Sequence, residues 1–237
     1  MKTTEVAIDK KKFRTRTLTA IVFAAVMLLG LFISVWLFLA LFFTILAGCL
    51  VEYKKLVFKF KPSLLPLAVF YIVMPLLMMI DLGVDGALFA KGAREDLNIT
   101  SFFTPLFPCT IIFSIWINDT MAYLVGSMIG KTPFSQISPN KTWEGTAGGA
   151  VLCVVAIAIL SSIIPAAKNI SLQHWIAIAA LCAVFGTLGD LLESKIKRLA
   201  NVKDSGHFMP GHGGFLDRFD SLLVATPFVW LYLKIFF

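Results

Sequence analysis

Uninterrupted apolar runs of membrane-spanning length constrain this chain more than any other feature. One run covers residues 18–51, and shorter runs follow at 63–80, 101–117, 145–164, 172–192 and 219–237. A helix needs about 20 apolar residues to cross the roughly 30 Å hydrocarbon core of a bilayer, so the first run holds two short helices that reverse near Gly30 and Ser34. Because backbone polar groups in lipid must be paired, the sequence predicts an all-α polytopic membrane bundle of about seven transmembrane helices, with a range of about six to nine.

The composition excludes a soluble globular domain. Hydrophobic residues make up 58% and charged residues 15% of the 237 residues, and the mean hydropathy is +0.86, outside the usual range of soluble domains. The apolar stretch before Cys49 is about twice as long as the core of a secretory signal, which predicts an uncleaved anchor. The four cysteines occur singly in apolar runs, so neither a disulfide framework nor a zinc site is predicted.

The distribution of basic residues predicts the orientation in the membrane. Seventeen Lys and Arg residues fall on one side of a seven-span arrangement and four on the other. Cytoplasmic loops of membrane proteins carry the excess of Lys and Arg, so the N-terminus is predicted to be cytoplasmic. The net charge of +7 is therefore mostly topological, and no nucleic acid partner is predicted because the sequence has no soluble domain or basic groove to bind one.

Polar residues cluster in two segments beside the predicted spans. The first segment runs from 116 to 145 and the second from 189 to 220, and both fall on the predicted cytoplasmic side. Polar groups in or beside a membrane are costly and therefore indicate function. The chain is accordingly divided into N-terminal transmembrane helices with a basic cytoplasmic tail, at 1–100, and a catalytic transmembrane region, at 101–237. A short apolar piece at 121–129 is a candidate for an additional half-helix.

The second polar segment begins on a predicted helix. Asp190, Ser194, Lys197 and Arg198 have the spacing i, i+4, i+7 and i+8, which puts a carboxylate, a hydroxyl and two cations on one helix face. A simpler interpretation of Lys197, an i, i+4 ion pair with Glu193 at the membrane boundary, stays open. Downstream, residues 203–220 combine four glycines with three carboxylates and two histidines. Glycine-rich backbone can bind phosphate oxygens, and aspartates can hold a hard cation.

These residues resemble the signature of the CDP-diacylglycerol synthase (phosphatidate cytidylyltransferase) family. The resemblance rests on Ser194, Ile196, Lys197, Arg198, Lys203, Asp204, Gly206, Met209, Pro210, His212, Gly213, Gly214, Phe215, Asp217, Arg218, Phe219 and Asp220. Met209 is a mild departure, since the family usually has Leu, Ile or Phe there. Upstream elements at 118–119, 138–145 and 189–194 are also similar to the family and follow its order. The resemblance covers residues 116–221 and leaves 1–100 without a specific signal.

The resemblance implies an enzyme that joins CTP to phosphatidic acid, giving CDP-diacylglycerol and pyrophosphate. It implies metal ligands at Asp190, Asp217 and Asp220 for Mg²⁺, with Mn²⁺ as the alternative and room for a second cation. The residues that it assigns to catalysis are Lys197, Arg198, Lys203, Asp204, His212 and Arg218. The residues that it assigns to substrate binding are Ser138, Lys141, Thr142, Ser194, Gly211, Gly213 and Gly214. Asn118 and Asp119 are candidates for lining the same cavity. A homodimer and a location in the bacterial cytoplasmic membrane, with the active site facing the cytoplasm, complete the expectation.

The sequence leaves one main alternative to this function and disfavours two others. A CTP-dependent polyprenol or dolichol kinase is the main alternative, because it also binds CTP in a helical bundle. A CDP-alcohol phosphatidyltransferase is disfavoured, because Asp85 and Gly86 are not followed by the Ala-Arg pair that such enzymes carry. A transporter is disfavoured because the sequence shows no repeated halves with paired broken helices.

Overall fold

The computed structural model describes residues 10–84, 103–209 and 213–237, without the side chains of residues 10–13 and 16. These described parts form an all-helical bundle. Its α-helices are α1 (Lys10–Phe32), α2 (Val35–Phe60), α3 (Met74–Gly83), α4 (Leu106–Ile129), α5 (Trp143–Ile163), α6 (Leu172–Leu199) and α7 (Leu216–Phe236). The predicted all-α membrane bundle is confirmed. The predicted boundary at residue 100 falls outside the described residues, so the division into two regions stays a prediction.

Six helical segments in the described residues are long and apolar enough to cross a membrane. They are Val35–Phe60, Pro62–Gly83, Leu106–Ile129, Trp143–Ile163, Leu172–Leu199 and Leu216–Phe236. Thr17–Phe32, within α1, is a shorter apolar helix. The protein is therefore a multi-pass membrane protein. The piece at 121–129 is not a separate half-helix, because it continues α4 without a break.

The chain reverses between α1 and α2 where the sequence predicts it. Ser34 has an extended backbone and caps α2 by accepting a hydrogen bond from Leu37 N–H at 3.3 Å. A serine oxygen in this position satisfies one of the amides that a helix leaves unpaired at its start. The next span, Pro62–Gly83, is less regular and joins a 3₁₀ segment, a π-helical turn and α3. Pro66 lacks an amide hydrogen, which accounts for the absence of a regular α-helix there.

Close packing of α4 on α5 and of α6 on α7 brings the polar segments together. A Cβ atom at Gly149 of α5 would lie 2.7 Å from Ala122 Cβ of α4, and one at Gly189 of α6 would lie 2.5 Å from the Asp220 carbonyl oxygen of α7. Small residues let helix backbones approach in a membrane, where apolar burial between helices gives little driving force. The ends of α2, α4 and α6 and the starts of α5 and α7 therefore meet at one end of the bundle.

The opposite end of the bundle has its own buried charge. Asp81 at the end of α3 is fully buried, accepts a hydrogen bond from Trp230 Nε1 at 2.8 Å and pairs with Lys234 Nζ at 3.1 Å. His174 Nδ1 and Tyr232 Oη lie 2.8 Å apart at the same end. A buried charge persists in a protein only when it is paired, so these contacts explain the acid at the end of α3.

Candidate active site

A polar cavity of about 620 Å³ opens where α4, α6 and α7 meet. Its volume lies in the range of small-molecule sites, about 300–1,000 Å³. The predicted site residues that line it are Ser138, Lys141, Thr142, Asp190, Lys197, Asp204, Asp217, Arg218 and Asp220. Asn118 and Asp119 of α4 line it as well. The structure thus brings residues from both polar segments of the sequence to one surface.

Asp190 connects α6 to the loop before α5. Its carboxylate forms an ion pair with Lys141, and its Oδ1 accepts a hydrogen bond from Ser194 Oγ at 3.3 Å. The i, i+4 spacing of Asp190 and Ser194 therefore gives the predicted contact on one helix face. Both charged groups are about a quarter to a third exposed, so the pair is accessible from the cavity.

The loop that carries Lys141 is held by side chains at the start of α5. Glu144 accepts hydrogen bonds from the amides of Lys131 and Thr132, both at 3.2 Å, and from Thr132 Oγ1 at 2.9 Å. Thr142 caps α5 by accepting from Gly145 N–H at 3.1 Å. Thr142 thus has a structural function in addition to its position on the cavity wall. These bonds fix the direction in which the loop presents Lys141.

Lys197 is shared between two helices. Its Nζ lies 2.6 Å from Glu193 Oε2 in α6 and 2.7 Å from Asp217 Oδ1 in α7. The i, i+4 pair with Glu193 is therefore present, but it is one half of a three-residue cluster. Glu193 is fully buried, and removing one partner of a buried charged cluster leaves an uncompensated charge. The cluster fixes the start of α7 against the end of α6.

Asp217 forms the ion pair with Lys197 and also accepts hydrogen bonds from the segment between α6 and α7, residues 200–209 and 213–215, which we call the signature loop. Its Oδ2 accepts from Ser205 N–H at 2.9 Å, from Ser205 Oγ at 2.9 Å and from Gly214 N–H at 2.7 Å. The amide of Gly214, which the resemblance assigns to a substrate, therefore has an intramolecular partner in this structure. The assignment of Asp217 to a metal and of Gly214 to a substrate stays a prediction.

Three other carboxylates line the cavity wall, namely those of Asp119, Asp190 and Asp220. Among the described residues, no group of three or more His, Cys, Asp or Glu side chains is arranged to hold a metal ion. Mg²⁺ is usually bound by one or two carboxylates together with waters and substrate phosphates. The carboxylates on this wall fit such a site, because it does not require a complete set of protein ligands.

Other predicted site residues lie elsewhere. Within the parts of the chain that the structure describes, the cavity lining does not include Ser194, Arg198, Lys203, Gly213 or Gly214. Gly213 adopts a left-handed backbone, φ 87°, and its carbonyl accepts from Met209 N–H at 2.9 Å. Gly211 and His212 lie outside the described residues, so their predicted functions stay predictions.

Two residues of this end of the bundle were not predicted from the sequence. Glu52 of α2 is 6% exposed, and Ser205 of the signature loop is 7% exposed. Ser205 Oγ lies 2.7 Å from Glu52 Oε2 and 2.9 Å from Asp217 Oδ2. The only sequence signal at Glu52 is a carboxylate directly after an apolar run, and the basic residues Lys54 and Lys55 that follow make it look like part of a polar loop.

Comparisons with known proteins agree with the position of the site. Residues 98–236 match the cytidylyltransferase family. A phosphatidate cytidylyltransferase of Bacillus subtilis (strain 168) is 43% identical over 143 residues, which is 60% of this chain and 50% of the relative. A protein of the same name from Staphylococcus aureus (strain COL) is 45% identical over 118 residues, 48% of this chain and 43% of the relative.

The family-matched segment contains α4 to α7, and the match with the two relatives is partial. The chain spans about half the length of the curated relatives it matches. The matched family segment, 98–236, contains every predicted site residue and excludes Glu52. The chain belongs to the cytidylyltransferase family.

Proposed function

We propose that this protein is a phosphatidate cytidylyltransferase, which converts CTP and phosphatidic acid into CDP-diacylglycerol and pyrophosphate. The observation that carries the proposal is the cavity in which Lys141, Lys197 and Arg218 lie together with Asp190 and Asp220 at one end of a membrane bundle. Two polyanionic substrates need cations, and a nucleotide triphosphate also needs a divalent ion, so both kinds of group are expected in the site. The names of the relatives agree with this reaction.

An apolar cavity beside the polar one supports a lipid substrate. It has a volume of about 460 Å³ and lies between α1, α2 and the signature loop. Phe23 lines both cavities, and Phe219, next to Asp220, lines the apolar one. A lipid whose phosphate reaches the polar cavity can therefore keep its acyl chains against apolar side chains. CTP would enter the polar cavity from water.

In the proposed reaction an oxygen of the lipid phosphate attacks the α-phosphorus of CTP. One P–O bond forms to the lipid phosphate, and the bond between the α- and β-phosphates breaks, so pyrophosphate leaves with its electron pair. A phosphate monoester has a second pKa near 6 and is largely dianionic at neutral pH, so a strong general base is unnecessary. The barrier comes from bringing two anions together and from charge on the departing pyrophosphate. Lys141, Lys197 and Arg218 would neutralise that charge.

We propose that Mg²⁺ is the cofactor, held by Asp190 and Asp220 with Asp217 as a further predicted ligand. Bound there, it would neutralise phosphate charge and align the triphosphate. The side chains of this chain would do the remaining work: Lys141 orients Asp190, and Lys197 fixes Asp217. Mn²⁺ as a substitute and a second cation stay predictions, as does the homodimer.

We further propose that the cavity faces the cytoplasm of a bacterial cell membrane. The distribution of Lys and Arg, seventeen against four, supports this orientation. The basic end of the bundle would also attract anionic lipid in the inner leaflet. Both substrates would then reach the same end, CTP from the cytosol and phosphatidic acid from the membrane.

The proposal is tested by the fate of two differently labelled samples of CTP. The purified full-length protein is incubated in mixed micelles with phosphatidic acid and Mg²⁺, and the chloroform-extractable product is counted. Label in the α-phosphate should enter the lipid, whereas label in the γ-phosphate should leave as pyrophosphate. A polyprenol or dolichol kinase would give the reverse pattern with a polyprenol acceptor. Lipid labelled only from γ-labelled CTP would overturn the proposal.

A further inference from the structure

Glu52 of α2 lies outside the family-matched segment and accepts hydrogen bonds from the signature loop and from the start of α7. It lies 46 residues before the start of that segment at residue 98 and is buried at the cavity end of the bundle. We infer that Glu52 is a positioning residue of the active site, which fixes the first turn of α7 and acts on Asp217 through Ser205. The inference rests on the proposed function, since its test measures that reaction.

The carboxylate of Glu52 accepts hydrogen bonds from the backbone amides at the start of α7. Its Oε1 accepts from Phe215 N–H at 3.0 Å, and its Oε2 accepts from Leu216 N–H at 2.9 Å. The first amides of a helix have no partner within the helix, and a negative charge is favourable beside them. No side chain of the α7 segment caps this helix start. Glu52 therefore supplies from α2 the cap that α7 does not supply itself.

Ser205 connects this cap to the cavity. Its Oγ lies 2.7 Å from Glu52 Oε2 and 2.9 Å from Asp217 Oδ2, and it also accepts from Asp217 N–H at 3.3 Å. Asp217 in turn holds Lys197 at 2.7 Å. A hydroxyl has one hydrogen, so Ser205 Oγ donates to one of the two carboxylates at a time, and its position between them couples Glu52 to Asp217. Displacement of Glu52 should thus move Asp217 and Lys197, which line the cavity.

The glycines around Glu52 leave just enough space for its carboxylate. A Cβ atom at Gly206 or at Gly214 would overlap the Glu52 carboxylate, and one at Gly48 would overlap the ring of Phe215. Gly48 lies one helical turn before Glu52 on the same face of α2. Two glycines of the signature thus leave room for this carboxylate. The loop, α2 and the start of α7 pack as one unit.

Asp81 provides a matched control for Glu52. Both are buried acids of the N-terminal part of the chain, and both contact α7. Glu52 contacts the first turn of α7, whereas Asp81 contacts Trp230 and Lys234 near its end. The 21 residues of α7 span about 30 Å at 1.5 Å per residue. Neutralising Asp81 should therefore affect stability without affecting the cavity.

The experiment compares Glu52→Gln with Asp81→Asn in the purified full-length protein. Both variants should unfold at a lower temperature than the wild type. Per folded molecule, Glu52→Gln should lower kcat by roughly 10- to 100-fold, as expected for lost hydrogen bonds to a charged group. The KM for CTP should change by less than about threefold, because Glu52 does not line the cavity. Asp81→Asn should keep kcat within about twofold.

A second variant keeps the test decisive if Glu52→Gln is not recovered folded. Ser205→Ala removes the link but keeps the two bonds from Glu52 to the Phe215 and Leu216 amides, so it should lower kcat as well. In the double variant, the loss of kcat should be smaller than the two single losses combined. Normal kcat in Ser205→Ala, or equal effects of Glu52→Gln and Asp81→Asn on kcat, would overturn the inference while leaving the proposed function intact. Absence of cytidylyl transfer in the wild type would instead overturn the proposed function.

Discussion

Lys197 of α6 and Asp217 of α7 are joined by an ion pair of 2.7 Å at the cavity wall. The two residues are 20 positions apart in the sequence, and the pair closes the signature loop between them. Because Asp217 also accepts three hydrogen bonds from Ser205 and Gly214, the loop conformation and the position of the Lys197 charge depend on each other. Changes in this loop should therefore affect catalysis even where they do not touch a substrate.

Replacing the aspartates of the cavity should show whether they bind a metal ion. Asp190→Asn and Asp217→Asn keep the side-chain size but remove a charge, so each should lower turnover by orders of magnitude at a fixed Mg²⁺ concentration. Partial recovery at higher Mg²⁺ or with Mn²⁺ would indicate direct coordination. Recovery is expected for Asp190→Asn. For Asp217→Asn it would be smaller, since this variant also loses hydrogen bonds that fix the loop. Near-normal turnover in either well-folded variant would refute the assignment.

Removing the positive charge of Lys141 beside Asp190 should lower turnover and raise the KM for CTP. Lys141→Ala deletes the ion-pair partner of Asp190 and a positive charge of the cavity. Turnover should fall by roughly 10- to 100-fold, and the KM for CTP should rise, because a charge-assisted contact is lost. Lys168→Ala, at the start of the loop before α6, is the matched control and should change activity by less than about twofold. Equal activities of the two variants would speak against a function of Lys141 in binding phosphate.

The close contact of α6 and α7 should tolerate no side chain at Gly189. In Gly189→Ala the new Cβ would lie 2.5 Å from the Asp220 carbonyl oxygen, so the helices must separate. Overpacking of this kind costs about 1–3 kcal/mol, and turnover should fall as Asp220 moves. Gly186→Ala, one turn earlier, would meet its nearest atom at an ordinary 3.5 Å. Thermal unfolding should show a loss for Gly189→Ala alone, and similar unfolding of both variants would be inconsistent with the packing described.

The orientation can be tested with topology reporters. A reporter fused after Phe237 should be external, and one inserted within residues 200–205 should be cytoplasmic, since α7 crosses the membrane between the two positions. Cytoplasmic signals from both positions would show that the number of spans is wrong. The opposite pattern at both positions would show that the bundle is inverted.

The spans could be predicted because length and hydrophobicity are local properties of the sequence. The reversal at Ser34 and the pairing of Lys197 with Glu193 were also predictable, since a cap and an i, i+4 pair depend only on spacing. The contacts of Glu52 could not be predicted, because its partners lie 153 to 164 residues away. The sequence also does not show that the Gly214 amide donates to Asp217. Nor does it show that Gly206 and Gly214 leave room for the carboxylate of Glu52 in α2.

The most direct test of the account is the stoichiometry of the reaction in reconstituted membranes. Purified wild-type protein in vesicles that contain phosphatidic acid is supplied with CTP and Mg²⁺, and the lipid product and pyrophosphate are measured together. We expect one pyrophosphate for each CDP-diacylglycerol formed, identified by mass, and no product when phosphatidic acid is omitted. Release of CDP with phosphorylation of a lipid, or release of pyrophosphate that does not depend on phosphatidic acid, would contradict the assignment of this cavity to cytidylyl transfer.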